Sequence, residues 1–191
     1  DLRYPDTIEV ESPVTGLFEE VRGLGEVRSA PLGETTLYDV PVAVFLLTPT
    51  EAGTLRLPAA EVSLGSVRRS SQGLTLQVSA PPSQPESGGV GRFSYSWSLS
   101  QEDGELIDSL TVELTVAGSG NLPLLSFPEL TLDGLIELDR SEDIRQIPTE
   151  EGYQGERRVT VRLSPGEGDE ARLGVGDFEY FDAETRRIER V

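Results

Sequence analysis

The sequence predicts an all-β protein of two sandwich domains in tandem, and three observations carry that expectation. Apolar residues alternate with polar ones at period two in several separate segments, the spacing that gives a strand one buried and one wetted face. Twenty glycines and thirteen prolines punctuate those segments, as short strands joined by turns require. A Pro/Gly/Ser-rich stretch, Ala80–Val90 (APPSQPESGGV), divides the 191 residues into two pieces. Its Pro-rich half reads as stiff and Gly88-Gly89 as loose, so 80–90 is the expected linker.

The elements follow in chain order. Helical signal is nearly absent: Thr15 to Arg22 (TGLFEEVR), closed by Gly23, could form a short helix, but no capping box precedes it and the balance is against one. Val40 to Leu47 is apolar on both faces, which suits a central strand. Leu74, Leu76 and Val78 line one face of the next strand. After the linker, Phe93, Tyr95, Trp97 and Leu99 alternate with Ser94, Ser96, Ser98 and Ser100. Leu110, Val112, Leu114 and Val116 alternate with Thr111, Glu113 and Thr115, and Val159, Val161 and Leu163 with Arg158, Thr160 and Arg162. Between these last two runs, Asp139 to Gln146 could form one further helical turn, again uncapped and again the less favoured outcome. Residues 1–79 and 91–191 each fall within the size range of immunoglobulin-like sandwiches.

A faint internal repeat points the same way. Leu47–Leu64 aligns without a gap on Leu163–Tyr180, with identities at Leu47/Leu163, Pro49/Pro165, Glu51/Glu167, Arg56/Arg172 and Leu57/Leu173. The shared shape is a strand, a Pro/Gly turn and a returning strand, as two related β-domains would have.

Composition removes most catalytic chemistries. The chain has 34 acids against 16 bases, a net charge of −18; all sixteen bases are arginine, and Cys, His, Met and Lys are absent. Without Cys there is no disulfide, thiolate nucleophile or zinc finger. Lacking His and Lys, the chain has no base titrating near neutral pH, no Schiff-base amine and no P-loop. The charge argues against nucleic acid and anionic lipid. It is uneven: residues 1–79 hold 11 acids and 6 arginines, and 80–191 hold 23 and 10. The longest apolar run, Val42 to Leu47, is far short of the roughly 20 residues that span a bilayer. With no initial Met, the sequence reads as a segment of a longer chain whose leader or anchor lies outside it.

The conspicuous motifs have structural readings. The Phe93-Tyr95-Trp97 stripe could be an aromatic platform for sugar, but its continuation into Leu99 reads as sandwich core. Ser119 in Gly118-Ser119-Gly120-Asn121 lacks a nucleophile-elbow frame and a histidine, so the tetrapeptide reads as a tight turn. Acids cluster at Asp139, Glu142 and Asp143 and at Glu167, Asp169 and Glu170, without the spacing of a calcium loop. They read as solvated faces, and no carboxylate pair stands out as catalytic. Arg68-Arg69, Arg157-Arg158 and Arg186-Arg187 could each dock a partner's carboxylate, or simply relieve local repulsion. No catalytic, cofactor-binding or metal-binding residue is assigned.

Several short motifs resemble the BatD family of oxygen-tolerance (aerotolerance) proteins. They are Gly91-Arg92-Phe93, then Val116-Ala117-Gly118-Ser119-Gly120-Asn121-Leu122, then Pro128-Glu129-Leu130. Leu163-Ser164-Pro165 and Phe178-Glu179-Tyr180-Phe181-Asp182 continue the likeness, and Leu47-Thr48-Pro49 through Gly53 to Leu57-Pro58 is similar to the family's first-domain hairpin. The likeness spans roughly residues 38–191. The chain departs from the pattern at Gly166–Glu170 and at Gly174-Val175, which stands in place of an Ile-Pro pair. The resemblance implies tandem immunoglobulin-like domains in the periplasm, a parent anchored in the inner membrane, and protein partners of the von Willebrand factor A type. It implies no catalytic residue, and it leaves the first domain truncated or irregular at its N-terminus. The expectation is a non-enzymatic envelope module that binds protein. The alternatives are a carbohydrate- or peptidoglycan-binding sandwich and an adhesin-like stalk stiffened by calcium.

Overall fold

Period-two alternation becomes strand almost throughout, and no α-helix occurs among the described residues. A computed structural model describes residues 7–10, 17–21, 27–33, 35–39, 41–102, 109–149, 152–166 and 170–191. Among them, no helix is long and apolar enough to cross a membrane. The chain divides into two units, Asp1–Ala80 and Pro81–Val191.

Among the described residues, the first unit holds nine short strands: β1 (Thr7–Glu9), β2 (Leu17–Val21), β3 (Arg28–Leu32), β4 (Thr35–Asp39), β5 (Val44–Thr48), β6 (Gly53–Leu57), β7 (Glu61–Leu64), β8 (Val67–Ser70) and β9 (Leu74–Val78). They form one three-stranded sheet, β1-β7-β8, and three pairs, β2-β5, β3-β4 and β6-β9. Two expectations are corrected here. Leu17–Val21, inside the stretch weighed as a possible short helix, is strand β2. It is antiparallel to β5, with the Phe18 and Phe45 rings stacked at 4.9 Å. Uncapped, the segment gains more from this pairing than from an isolated turn of helix. Strand β5, read as central, pairs only with β2 among the described residues.

The second unit combines long strands, β10 (Gly89–Glu102), β11 (Ser109–Gly120), β13 (Leu135–Thr149) and β14 (Gly152–Pro165), with short ones, β12 (Leu130–Asp133), β15 (Arg172–Val175), β16 (Glu179–Asp182) and β17 (Arg187–Arg190). Six of them form a sheet ordered β13-β14-β11-β10-β16-β17, and β12-β15 is a separate pair. Among the described residues, only the β10–β16 contact is parallel. Val112 and Leu114 of β11 and Val159, Val161 and Leu163 of β14 form the buried centre. Leu130 and Leu132 of β12 and Leu173 and Val175 of β15 pack on it as a second layer. The register places Leu130 opposite Val175 and Leu132 opposite Leu173, so all four share one face.

Here too the sequence reading is revised. Asp139–Gln146, weighed as a possible helical turn, lies in β13 and pairs residue by residue with β14. Within the stretch read as linker, Pro85, Ser87 and Gly89 are buried, and Gly89 opens β10. The repeated segment is not a hairpin in either half. β5 and β6 lie in different sheets, as do β14 and β15, so the Pro/Gly turn carries the chain from one sheet to another.

Candidate functional site

Strand β10 pairs with β11 along residues 91–102. On its other side β16 covers only Gly89, Val90 and Gly91. Among the described residues, the stretch from Arg92 to Glu102 is therefore an open edge. Asn121 fixes which backbone groups face outward. Its N–H donates to the Val90 carbonyl at 3.1 Å, and its Oδ1 accepts from the Val90 N–H at 2.7 Å. An antiparallel ladder alternates, so even-numbered residues of β10 point their backbone groups at β11. Phe93, Tyr95, Trp97, Leu99 and Gln101 point theirs at the open side.

Those same residues carry the apolar stripe, and its burial falls away along the strand. Phe93 is 5% exposed, Tyr95 is half-buried, and Trp97 and Leu99 are 52% and 48% exposed. The expectation that all four form core is thus corrected at its distal half. The second layer packs on β11 and β14, and neither Trp97 nor Leu99 joins that cluster. The proximal half is anchored by aromatics: Phe93 meets Tyr180 edge-to-face at 5.5 Å, and Tyr95 stacks on Phe178 at 5.6 Å.

The two outer regions of the sheet differ in chemistry. Strand β13, the far edge, carries Glu137, Asp139, Arg140, Glu142, Asp143 and Arg145, a register irregularity between Glu137 and Asp139, and Pro148. These are the features by which edges resist further pairing. From Phe93 to Gln101, β10 has no charge, no proline and no bulge. In a chain of net charge −18 that gap stands out.

The Tyr95 hydroxyl is buried without a hydrogen-bond partner among the described residues. Burial, assisted by the negative charge of Asp177, raises its pKa above the ordinary phenol value. A raised folded-state value stabilises the fold below the unfolded pKa, and that contribution disappears as pH rises through the folded one. Tyr95→Phe is accordingly expected to raise stability at pH 7 by up to about 1 kcal/mol, because an unsatisfied polar group is removed. It should also flatten the alkaline decline in melting temperature. Loss of stability in this variant would mean that the hydroxyl is paired.

The remaining candidates fall into place individually. Ser119 lies within β11, opposite Arg92 and Gln154, and the expected turn starts only at Asn121. The Asn121 amide also donates from Nδ2 to the Gly88 carbonyl at 2.9 Å, a stitching role that composition alone did not flag. Asp139 and Asp143 face away from Glu142, since the register sets them opposite Arg162 and Arg158 while Glu142 is opposite Val159. Glu167 and Asp169 lie outside the described residues, and Glu170 pairs with Arg172 at 3.3 Å. Glu86, Glu129, Asp177 and Glu179 do gather around a hollow of about 260 Å³, with Glu179 paired to Arg190. No group of three or more His, Cys, Asp or Glu among the described residues is arranged to hold a metal.

Of the arginine pairs, Arg68 and Arg69 lie on exposed β8. Arg186 occupies the β16–β17 turn, and Arg187 begins β17. Arg157 is consumed internally. Its guanidinium contacts Glu142 and donates to the carbonyls of Leu122, Pro123 and Leu125. Arg158 contacts Glu113 at 3.4 Å and Glu156 at 3.0 Å. No family model matches this chain, and neither does any curated protein or solved structure.

Proposed function

We propose that this chain is a non-catalytic protein-interaction module of the cell envelope, made of two immunoglobulin-like sandwiches and working through a strand edge. In this reading it is the periplasmic region of a BatD-like parent anchored in the inner membrane, and it assembles with von Willebrand factor A-type membrane partners. The observation that supports it most is the open stretch of β10, uncharged from Phe93 to Gln101, beside exposed Trp97 and Leu99. An edge left without charge, proline or bulge is a template for strand addition. The missing His, Cys and Lys leave little other chemistry for the chain to perform.

Capture from detergent-solubilised envelope membranes tests this, with the full chain immobilised. The wild type is expected to retain a membrane protein of the von Willebrand factor A type. Trp97→Lys, which puts a charge into the edge, should lose most of that capture. Equal capture by both, or no such protein on either, overturns the reading.

Exposure of Trp97 also favours one second reading, a carbohydrate or peptidoglycan platform. Trp97 is the chain's single tryptophan, so its fluorescence reports directly. Emission indifferent to peptidoglycan fragments fits the interaction module; saturable quenching by sugar would transfer the assignment to the platform.

A further inference from the structure

We infer that the occupant of the β10 edge is β10 of a second copy of this chain, antiparallel across a two-fold axis at Trp97. The inference rests on the edge reading above and refines it: the edge joins two copies, and the membrane partner is captured by the paired form rather than by the edge itself.

The open stretch is bounded by β16, which ends its pairing at Gly91, and by the end of the strand at Glu102. Its midpoint is Trp97. Antiparallel self-pairing about that midpoint puts Phe93 opposite Gln101, Ser94 opposite Ser100, Tyr95 opposite Leu99 and Ser96 opposite Ser98. It also brings Arg92 opposite Glu102, the only two charges on the stretch and opposite in sign. The segment thus reads almost the same from either end: Tyr95 meets Leu99, Trp97 meets itself, serine meets serine and cation meets anion, with Phe93 opposite Gln101 the one mismatch.

The backbone agrees with this register. Every residue with outward N–H and C=O groups, from Phe93 to Gln101, lands opposite another such residue, as hydrogen-bonded pairs require. A shift by one residue would oppose apolar side chains to serines and mismatch the outward groups. Shifting by two toward Gly91 would drive the partner into β16. The opposite two-residue shift would run the pairing past the end of β10 and lose the Arg92–Glu102 match.

Charge supports a homotypic partner in particular. Two chains of −18 repel each other, yet this stretch is locally neutral and so is the place where a second copy is least opposed. The two-fold axis is perpendicular to the sheet, so both apolar stripes emerge on one side of a continuous sheet. The two Trp97 side chains then meet across the axis, at the roughly 5.5 Å backbone spacing of a hydrogen-bonded pair. A paired form would present every other surface twice, raising capture of a membrane partner through avidity.

Sedimentation of the full chain over a concentration series tests the inference, with Trp97 emission and far-UV circular dichroism recorded alongside. Expected is a monomer–dimer equilibrium in which the dimer shows blue-shifted emission and a tryptophan–tryptophan couplet. Since each chain has one tryptophan, that couplet needs two chains. Trp97→Lys should weaken dimerisation by about tenfold or more. Arg92→Glu and Glu102→Arg should each weaken it several-fold, and the double exchange should restore it. Arg92 also contacts Glu184, but both side chains are well exposed, so the fold tolerates the change. A chain monomeric at every concentration, or a dimer indifferent to Trp97→Lys, overturns self-pairing. If that monomer still captures its membrane partner in a Trp97-dependent way, the edge reading survives alone; if capture ignores Trp97, both fail.

Discussion

Gly118→Ala is expected to destabilise the second unit by about 3–5 kcal/mol, enough to unfold a marginally stable domain. A Cβ at Gly118 would lie 2.1 Å from the Arg92 carbonyl oxygen and 2.9 Å from the Phe93 Cα, both on the paired strand β10. Neither atom can yield without separating the ladder. The residue also sits at φ +154°, a backbone conformation L side chains rarely adopt. The Phe93 ring lies over the same seam: a Cβ on Gly91, Gly118 or Gly120 would come within 3.0, 2.9 or 2.8 Å of it. The aromatic ring thus occupies the space that the glycines leave on the inner face. Urea denaturation followed by circular dichroism gives the number. Gly88→Ala is the control, since Gly88 has φ +67° and the nearest atom to its Cβ is 3.8 Å away; it should cost only about 1 kcal/mol. If the two variants lose similar stability, backbone conformation alone and not close approach governs Gly118.

Gly118 also shows how far the sequence could be read. A Gly-Ser-Gly-Asn string after an alternating run has the composition of a turn, and composition cannot distinguish a turn from a glycine seam where strands press together. The alternating runs were legible because their chemistry is local: Val112, Leu114, Val116, Val159, Val161 and Leu163 are all buried where period two puts them. What failed was non-local. Leu17–Val21 and Asp139–Gln146 have weak helical character, and only their long-range partners β5 and β14 make them strands. The repeated segment was visible as sequence, but whether its second strand returns to the same sheet depends on which strand waits to receive it.

The same limit governs the site. Alternation correctly put Phe93, Tyr95, Trp97 and Leu99 on one face, but it carries no information on how far a covering layer extends. The β12–β15 pair packs on β11 and β14 and leaves Trp97 and Leu99 exposed. Reading the stripe as uniform core therefore missed the open edge. One signal was available: the stretch Arg92–Glu102 has charges only at its two ends, in a chain that is otherwise richly charged. A central strand needs no such protection and an edge normally has it, so the missing charges fit either a buried strand or an interface. Topology adds what the sequence lacks: among the described residues, β16 stops at Gly91 and no strand covers the rest of β10 on that side.

Arg157→Leu is expected to cost about 3–4 kcal/mol, the larger part of it from partners left behind. The Arg157 side chain is only 16% exposed and belongs to the inner face of β14, in line with Val159 and Val161. There its guanidinium donates to the carbonyls of Leu122 and Pro123 at 3.4 and 3.3 Å and to that of Leu125. It pairs with Glu142 and lies 5.8 Å from the Phe127 ring centroid. These contacts hold the 3-10 turn Leu122–Leu124 and the chain after it against the sheet. Leucine keeps much of the apolar stem, yet it strands Glu142 and withdraws a charged donor from three carbonyls, which is why removing one member of a partly buried pair costs more than the pair contributes. Arg157→Lys should recover less than half of the loss, because an ammonium cannot reproduce the planar fork that spans a carboxylate and several carbonyls. Arg157→Leu combined with Glu142→Leu should be markedly less damaging than the single change, since the unpaired carboxylate goes with its partner. Thermal denaturation of the three variants at neutral pH decides the matter. A double variant no better than Arg157→Leu alone would assign the stabilisation to the carbonyl contacts, and an Arg157→Leu chain as stable as the wild type would remove Arg157 as the clamp of this unit.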